Sequence, residues 1–321
     1  MEIQERPAHY EGPNLDPSGV KLHPRFLGRG VYALMASRMP RDNSGVVIGS
    51  RGALVIDAGI NGEMARQIQD RVRKLTDKPI LYLVNTNYHG DHTFGNYAFS
   101  DSVEIVAHRK TLDSMNDLAA EKKIRSKNLF GQDAAISDIV TWRKPNRVFD
   151  GEFTELDLGD RAVELWHFGP GNTPGDTIVY VPETKTAWTG NFLSNERIGN
   201  TMLLEGGPRE YIDTLARCKN KLDIKRFVPG HGPMGKPEAI DNLINYLWWL
   251  LREVDEAIRL GLTRDAAIEA IRLPKRFLIS RFHPASRVNP LIQNFHRLNV
   301  MATYQALLNE RGGPSTIARA A

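Results

Sequence analysis

Cysteine is almost absent from this 321-residue sequence, and its scarcity excludes a scaffold held together by disulfides. The single cysteine, Cys218, has no second cysteine in the chain with which to pair. It lies in a predicted helix, where a small buried residue is the simpler interpretation. The lack of disulfides agrees with a reducing compartment, although other locations are also compatible with it.

Long apolar segments and long runs of one charge are also missing. The most apolar stretch, residues 246–251, is far shorter than the ~20 residues that a membrane-spanning helix needs, so we expect no membrane partner. The 42 Lys and Arg and 38 Asp and Glu leave a net charge of +4 without a basic run, so we expect no nucleic-acid partner. Residues 1–15 are polar and lack the apolar core of a secretory signal, which predicts a cytoplasmic protein.

What the sequence does contain is the pattern of an α/β protein. With 41% hydrophobic and 25% charged residues, the composition is that of a globular chain long enough for one large core with an extension. Met64, Ile68 and Val72 are four apart and predict an amphipathic helix over residues 61–75. A helix is also predicted around residues 111–123 and another around 208–219. Short runs rich in β-branched residues predict strands at 31–34, 46–48, 54–56, 80–84, 103–107, 163–167, 177–181, 186–188 and 225–228.

The pattern changes after Lys236, where apolar residues recur at spacings of three and four and predict helices only. Gly261, Pro274, Pro284 and Pro290 divide this part into short segments, and residues 299–311 predict a closing helix. We therefore divide the chain into an α/β domain, residues 1–236, and a C-terminal helical extension, residues 237–321, packed on the same domain. Trp248 and Trp249 in the extension suggest a lid or the contact of a homodimer.

Groups that bind metals are concentrated after two of the predicted strands. The segment Thr86-Asn87-Tyr88-His89-Gly90-Asp91-His92 follows the strand at 80–84, and Pro229-Gly230-His231 follows the last strand. Imidazole and carboxylate are the usual ligands of zinc and iron, and strand-end loops of α/β proteins are where sites are built. Taken alone, the first segment is also compatible with a polar surface turn.

These segments resemble motifs of the metallo-β-lactamase superfamily. The first is similar to the signature His-x-His-x-Asp-His and is continued by Thr93-Phe94-Gly95-Asn96. Four further elements follow the same order along the chain, which makes a chance match improbable. The resemblance implies an αβ/βα sandwich, two sheets faced by helices, with metal at one edge between the sheets. The four further elements are residues 54–59, the loop 169–176, the turn 189–193 and the segment 228–232.

The departures from the superfamily pattern predict one metal ion and not two. The resemblance places the first metal site at Asn87, His89 and Asn172, where only one imidazole remains, and it places the bridging carboxylate at Asn191. Amide oxygens are weak zinc ligands, so this site is depleted. The second site is complete as Asp91, His92 and His231. We expect it to hold one divalent metal, Zn²⁺ before Fe²⁺ or Mn²⁺. The alternative is a lineage that lost catalysis together with its first site.

The single-zinc subclass of metallo-β-lactamases is a partial precedent, since it also carries Asn at the first signature position. It keeps the loop His and uses a Cys ligand, whereas this chain has Asn172 and no Cys near its motifs. Hydrolysis of β-lactams is therefore not implied.

Two imidazoles and one carboxylate leave zinc an open position, as in catalytic sites, so a metal-activated water can hydrolyse an ester, lactone, amide or thioester. We predict Asp91 and His89 as catalytic residues, with His89 as general base or acid. A pocket for a small-molecule substrate is predicted from five residues, although each aromatic side chain alone also fits core packing. These residues are Asn87, Tyr88, Asn172, Asn191 and Phe94.

Two other functions stay open. The same two-His, one-carboxylate set resembles the iron(II) triad of oxygenases, so a lyase or oxygenase on this site is one alternative. A metal-poor binding protein that kept the fold is the other. Of the remaining histidines, His108 and His167 are expected to satisfy local hydrogen bonds. His283 and His296 of the helical part are expected either to close the pocket or to have no chemical role.

Overall fold

The computed structural model describes residues 5–194, 201–278 and 290–312, and within these ranges twelve strands form two sheets. The first sheet has seven strands in chain order, β1 to β7, and the second has five, in the order β12-β11-β10-β9-β8. The strands are β1 Leu22–Gly28, β2 Val31–Ala36, β3 Ser44–Ile48, β4 Ala53–Ile56, β5 Ile80–Val84, β6 Glu104–His108, β7 Arg147–Phe149, β8 Phe153–Asp157, β9 Ala162–Trp166, β10 Ile178–Val181, β11 Thr186–Gly190 and β12 Arg226–Pro229.

Helices cover the outer faces of both sheets. The helices of the described ranges are α1 Gly62–Leu75, α2 Gly90–Thr93, α3 Arg109–Ser114, α4 Leu118–Lys127, α5 Pro208–Lys221, α6 Glu238–Arg259, α7 Arg264–Ala270, α8 Lys275–Leu278 and α9 Pro290–Glu310. Of these, α1 packs on the first sheet, while α5, α6 and α9 belong to the core of the second.

A buried apolar layer joins the two sheets face to face. Leu54 and Val84 of the first sheet pack in one cluster with Val179 and Val228 of the second, all of them with no more than 1% of their surface exposed. Each such side chain contributes roughly 1.5–3 kcal/mol by leaving water, so this layer fixes how the sheets stack. The α/β sandwich expected from the sequence is confirmed, with a C-terminal helical part.

Helix α1 shows how local sequence sets an element. The Asn61 side chain accepts a hydrogen bond from the Met64 backbone N–H at 3.0 Å and so caps the first turn. Met64, Ile68 and Val72 form the buried stripe, as their spacing predicts. The helix ends at Leu75, with Thr76 as its C-cap.

The sequence prediction of one helix over residues 111–123 is wrong. Two helices, α3 and α4, stand there, because Asp117 leaves the helical conformation and caps α4 through the Ala120 N–H at 2.8 Å. The closing helix begins at Pro290 and not near residue 299. Strands β1, β7 and β8 were not predicted, since β1 and β8 have largely exposed residues and β7 has only three.

The C-terminal helices share the core of the second sheet. Leu243 and Leu250 of α6 lie in one cluster with Phe227 of β12 and Leu298 of α9. The division at residue 236 stays a prediction. Trp249 is buried and Trp248 is half exposed, and the predicted homodimer contact also stays a prediction. Cys218 is buried in α5, as expected.

No helix in the described ranges is long and apolar enough to cross a membrane. Pro284 and His283 lie outside the described residues.

Candidate metal centre

The residues predicted to bind a metal lie where strand ends from the two sheets come together. Asp91 and His92 are in the short helix α2 after β5, and His231 follows β12. Asn43, just before β3, ties the two sheets at this edge by donating to the carbonyls of Pro229 at 2.9 Å and Gly232 at 2.8 Å. The segments that are far apart in sequence therefore meet at one edge of the sandwich.

Asp91, His92 and His231 form a compact buried cluster, in which one ligand atom from each lies within 4.8 Å of the others. The Asp91 Oδ2 atom is 3.2 Å from His231 Nε2 and 3.7 Å from His92 Nε2. The structure thus brings together the three residues that the sequence predicts as ligands.

Both imidazoles are held from behind by their Nδ1 atoms. His92 Nδ1 is 2.9 Å from Asp57 Oδ2, and His231 Nδ1 is 2.7 Å from the Pro40 carbonyl oxygen. Each acceptor retains the proton on Nδ1 and leaves the Nε2 lone pair for a metal, as partners behind metal-binding histidines do. Asp57 is itself oriented by the Thr86 N–H and hydroxyl, each at 2.8 Å.

The electrostatics of the cluster favour a cation. Burial acts to lower the pKa of His92, but Asp57 and Asp91 outweigh it and raise the pKa to about 10. Burial acts to raise the pKa of Asp91, but Arg125 and His92 hold it well below its ordinary value. A proton on His92 therefore balances the carboxylates when no metal is bound. Two imidazole nitrogens and one carboxylate oxygen fit zinc or another divalent ion in its place.

Asn191 and His89 lie on the side of the cluster that faces the depleted site. The Asn191 Oδ1 atom is 3.2 Å from His92 Nε2, and its Nδ2 atom is 3.0 Å from His89 Nδ1. With the amide in this orientation Asn191 donates to Nδ1, which assigns the His89 proton to Nε2. Burial, followed by the charge of Arg125, holds the pKa of His89 well below its ordinary value, so His89 is neutral.

The other two asparagines have different surroundings. Asn87 Oδ1 accepts from the His89 N–H at 2.9 Å, so this side chain supports the loop backbone. Asn172 donates through Nδ2 to the Met202 carbonyl at 2.6 Å, which fixes its amide. Its Oδ1 atom is buried and has no hydrogen-bond partner among the described residues. Asn172 therefore offers a fixed acceptor for a donor on a water or a ligand.

Comparison with known proteins decides the family. The model of the "Metallo-beta-lactamase superfamily" matches residues 41–231, more than half of the chain. The chain belongs to this superfamily. The family match ends at His231, the last of the three clustered residues, and takes in both segments that carry them.

The relatives are distant, and several are enzymes by name. A linear primary-alkylsulfatase of Pseudomonas sp. is 23% identical over 261 residues, which cover 70% of this chain and 48% of that protein. A metallo-beta-lactamase type 2 of Bacillus sp. is 22% identical over 60% of this chain and 68% of its own length. The 2,4-dinitroanisole O-demethylase subunit alpha of Nocardioides sp. is 27% identical over 57% of this chain and 50% of its own length. The chain thus spans about half the length of two of these relatives.

Solved structures agree on the fold. A metallo-beta-lactamase from Pontibacter korlensis superposes with a TM-score of 0.57 at 20% identity, covering 71% of this chain and 99% of that one. A double mutant of a sec-alkyl sulfatase superposes with a TM-score of 0.69 at 15% identity, covering 89% of this chain and 50% of that one. At these identities the likeness shows the fold alone.

Tyr88 and Phe94 are both predicted to line the substrate pocket, but they lie in different surroundings. The Tyr88 ring packs edge-on against the His89 ring at 4.8 Å between centroids, and its hydroxyl donates to Glu205. Phe94 is 1% exposed and packs on Trp142 beneath residues 86–92, the metal loop. Tyr88 is therefore next to the site, while Phe94 is part of the core that supports it.

Several residues around the cluster were not predicted from the sequence. Arg125 lies with its Nη1 atom 3.2 Å from Asp91 Oδ1 and its Nε atom 2.8 Å from Glu121. The only sequence signal was the i, i+4 spacing of Glu121 and Arg125, which surface helices also show. Asp42 lies 3.3 Å from His231 Nδ1; burial and the charge of Asp91 raise its pKa to about 7. Its place on a loop before β3 carried no signal.

His108 and His167 have local partners, as predicted, and so has His296. The rings of His108 and His167 stack at 3.9 Å, and they bond the carbonyls of Gly151 at 3.1 Å and Asp176 at 2.9 Å. His296 is 3.0 Å from the Tyr246 hydroxyl and 2.9 Å from the Ile271 carbonyl, away from the metal loop.

Proposed function

We propose that this protein is a mononuclear metal-dependent hydrolase of a small organic substrate: an ester, lactone, amide or thioester. The observation that carries the proposal is the cluster of Asp91, His92 and His231, with both imidazoles held through Nδ1 so that their Nε2 atoms are available. The alkylsulfatase and metallo-beta-lactamase relatives support hydrolysis as the type of reaction.

In this proposal the three residues would hold the ion, and neighbouring groups would offer hydrogen bonds to the substrate. The metal, when bound, lowers the pKa of a water toward ~7 and polarises an oxygen of the substrate. His89 is kept neutral by burial and holds its proton on Nε2, because Asn191 donates to Nδ1. Its Nε2–H group can therefore donate a hydrogen bond to a substrate oxygen on which negative charge develops, while the ring stays neutral. Asn172 presents its amide oxygen to a hydroxyl or N–H.

The test is metal analysis and hydrolysis by protein purified without added metal. We expect about one zinc per chain, and turnover of at least one member of a panel of aryl esters, lactones, thioesters and alkyl sulfates. His231→Ala should abolish both metal binding and turnover, because it removes one of three ligands. His89→Ala should keep the metal but lower kcat by roughly 10²–10³-fold, since it removes the Nε2–H donor. Full activity in His231→Ala would contradict the mononuclear site.

A second candidate is a non-hydrolytic enzyme, because two histidines and one carboxylate also form the usual iron(II) set. Iron in the purified protein, together with no hydrolysis across the panel, would favour a lyase or oxygenase. Protein that binds neither metal would favour a binding function for the retained fold. Cytoplasmic location, a small-molecule substrate and no nucleic-acid partner remain parts of this proposal.

A further inference from the structure

The metal loop is held by a buried ion-pair network on helix α4. Arg125 and Glu121 are 5% and 3% exposed, one turn apart on the face of α4 that touches α2. Glu121 Oε1 accepts from the Gly90 N–H at 2.6 Å and lies 2.8 Å from Arg125 Nε. Burying two charged side chains is costly, so they persist only where they meet charges and hydrogen bonds that replace water.

The network reaches one specific oxygen of the metal ligand. Arg125 Nη1 contacts Asp91 Oδ1 at 3.2 Å, whereas Asp91 Oδ2 is the oxygen that faces His92 and His231. The guanidinium thus occupies one oxygen of the carboxylate and turns the other toward the predicted metal. A carboxylate held in this way binds one ion through one oxygen and is not available to bridge two.

The charge of Arg125 also acts on the neighbouring depleted site. Its guanidinium contacts Asp91, which is two residues from His89 in the same buried segment. Asn191 spans the two sites, since its Oδ1 atom is 3.2 Å from His92 Nε2 and its Nδ2 atom is 3.0 Å from His89 Nδ1. A fixed positive charge buried beside the depleted site disfavours a divalent cation there, because like charges repel strongly where water is excluded. Arg is protonated at every ordinary pH, so this effect is permanent.

We propose that Arg125 is a positioning residue that acts as a built-in cation in place of the second metal. It holds Asp91 for a single ion, and its charge opposes binding at the depleted site independently of the asparagine substitutions. This inference rests on the proposed single-metal site. It predicts that restoring the missing ligands is not sufficient for tight binding of a second ion.

The test measures zinc binding in a variant with restored ligands, Asn87→His, Asn172→His and Asn191→Asp. Equilibrium dialysis against buffered free zinc gives the Kd of each site without any substrate. In this background we expect Arg125→Gln to tighten the second zinc at least tenfold, and Arg125→Lys, which keeps the charge, to leave its Kd within about threefold. Circular dichroism and thermal melting check that each variant is folded.

A second variant, expected to change the Kd of the second zinc in the opposite direction, covers the case in which Arg125→Gln does not fold. Glu121→Gln removes the negative partner of Arg125 and should weaken the second zinc in the same background. The proposed role of Arg125 would be overturned if the second zinc had the same Kd in the restored-ligand variant with and without Arg125→Gln. It would equally be overturned if Arg125→Gln were unfolded and Glu121→Gln left that Kd unchanged. Failure of the unmodified protein to bind one zinc would instead overturn the proposed function.

Discussion

At the scale of single residues, the site depends on what stands behind each ligand. The Nε2 atoms of His92 and His231 lie 3.7 Å and 3.2 Å from Asp91 Oδ2, yet Asp57 holds the first ring and the Pro40 carbonyl holds the second. A carboxylate behind an imidazole raises its basicity more than a carbonyl does. His92 is therefore the imidazole whose strength as a ligand depends most on one replaceable side chain.

Substituting Asp57→Asn should weaken metal binding by roughly 10–100-fold, because the substitution removes the charge behind His92. Asp57 has a positive φ of 59°, a conformation that Asn also tolerates, so the backbone strain is unchanged. Competition with a chromogenic chelator measures the change in affinity.

The control is Asp70→Asn, which removes a carboxylate from the exposed surface of α1, where Asp70 pairs with Arg73. Its metal affinity should equal that of the unmodified protein. Equal affinity in Asp57→Asn as well would mean that the Asp57 carboxylate does not support the site.

At the scale of elements, α1 and α4 stabilise the site from different sides. Helix α1 covers the first sheet and is capped by Asn61, whose Nδ2 atom also donates to the Ala135 carbonyl at 2.9 Å. Helix α4 contacts the metal loop through Glu121 and Arg125. The contacts of α1 are structural ones, whereas α4 also contacts Asp91, a predicted metal ligand.

Substituting Asn61→Ala should lower the free energy of unfolding by about 1–2 kcal/mol, since the cap and the bond to Ala135 are both lost. Asn61→Asp keeps an oxygen for the Met64 N–H and should retain more of the stability. Urea denaturation of the two variants measures the difference. An Ala variant as stable as the Asp variant would show that the cap contributes nothing.

At the scale of the whole molecule, the C-terminal helices join the sandwich through buried polar contacts as well as apolar ones. His296 of α9 bonds the Tyr246 hydroxyl of α6 and the Ile271 carbonyl after α7, and so connects three helical segments. Burial lowers its pKa from 6.5 to about 4. The folded protein therefore holds His296 neutral where the unfolded chain protonates it.

Because the pKa of His296 is lowered on folding, its contribution to stability is complete above pH 6.5 and is lost as the pH falls to about 4. The loss is about 3 kcal/mol at most. His296→Gln cannot titrate, so the unfolding free energy of the unmodified protein should fall more steeply than that of the variant over this range. Urea denaturation at several pH values measures both, and parallel curves would contradict the prediction.

The fold class, most elements and the three residues of the buried cluster could be predicted from the sequence, because these depend on local patterns. The sequence alone shows the alternation of strands and helices and the order of the motifs. It also shows the helical spacing of Met64, Ile68 and Val72. It failed at β1, β7 and β8, where exposed or very short strands leave little pattern, and at residues 111–123, where Asp117 prefers a cap to a helix interior. Pairing with neighbouring strands forms β1, β7 and β8, and capping by Asp117 begins α4; neither follows from the local propensity of the sequence.

The sequence by itself determined the residue types: one carboxylate and two imidazoles at Asp91, His92 and His231, and asparagines at positions 87, 172 and 191. Only the tertiary structure decided the side of Asp91 that faces the cluster, the partners behind each imidazole and the different roles of Asn87, Asn172 and Asn191. The reason is physical. The type of a side chain is a property of one residue, whereas its orientation and charge depend on its neighbours in the folded protein. Asp57 is 35 positions from His92, and Arg125 is 34 positions from Asp91, so each pair comes into contact only when sheets and helices pack.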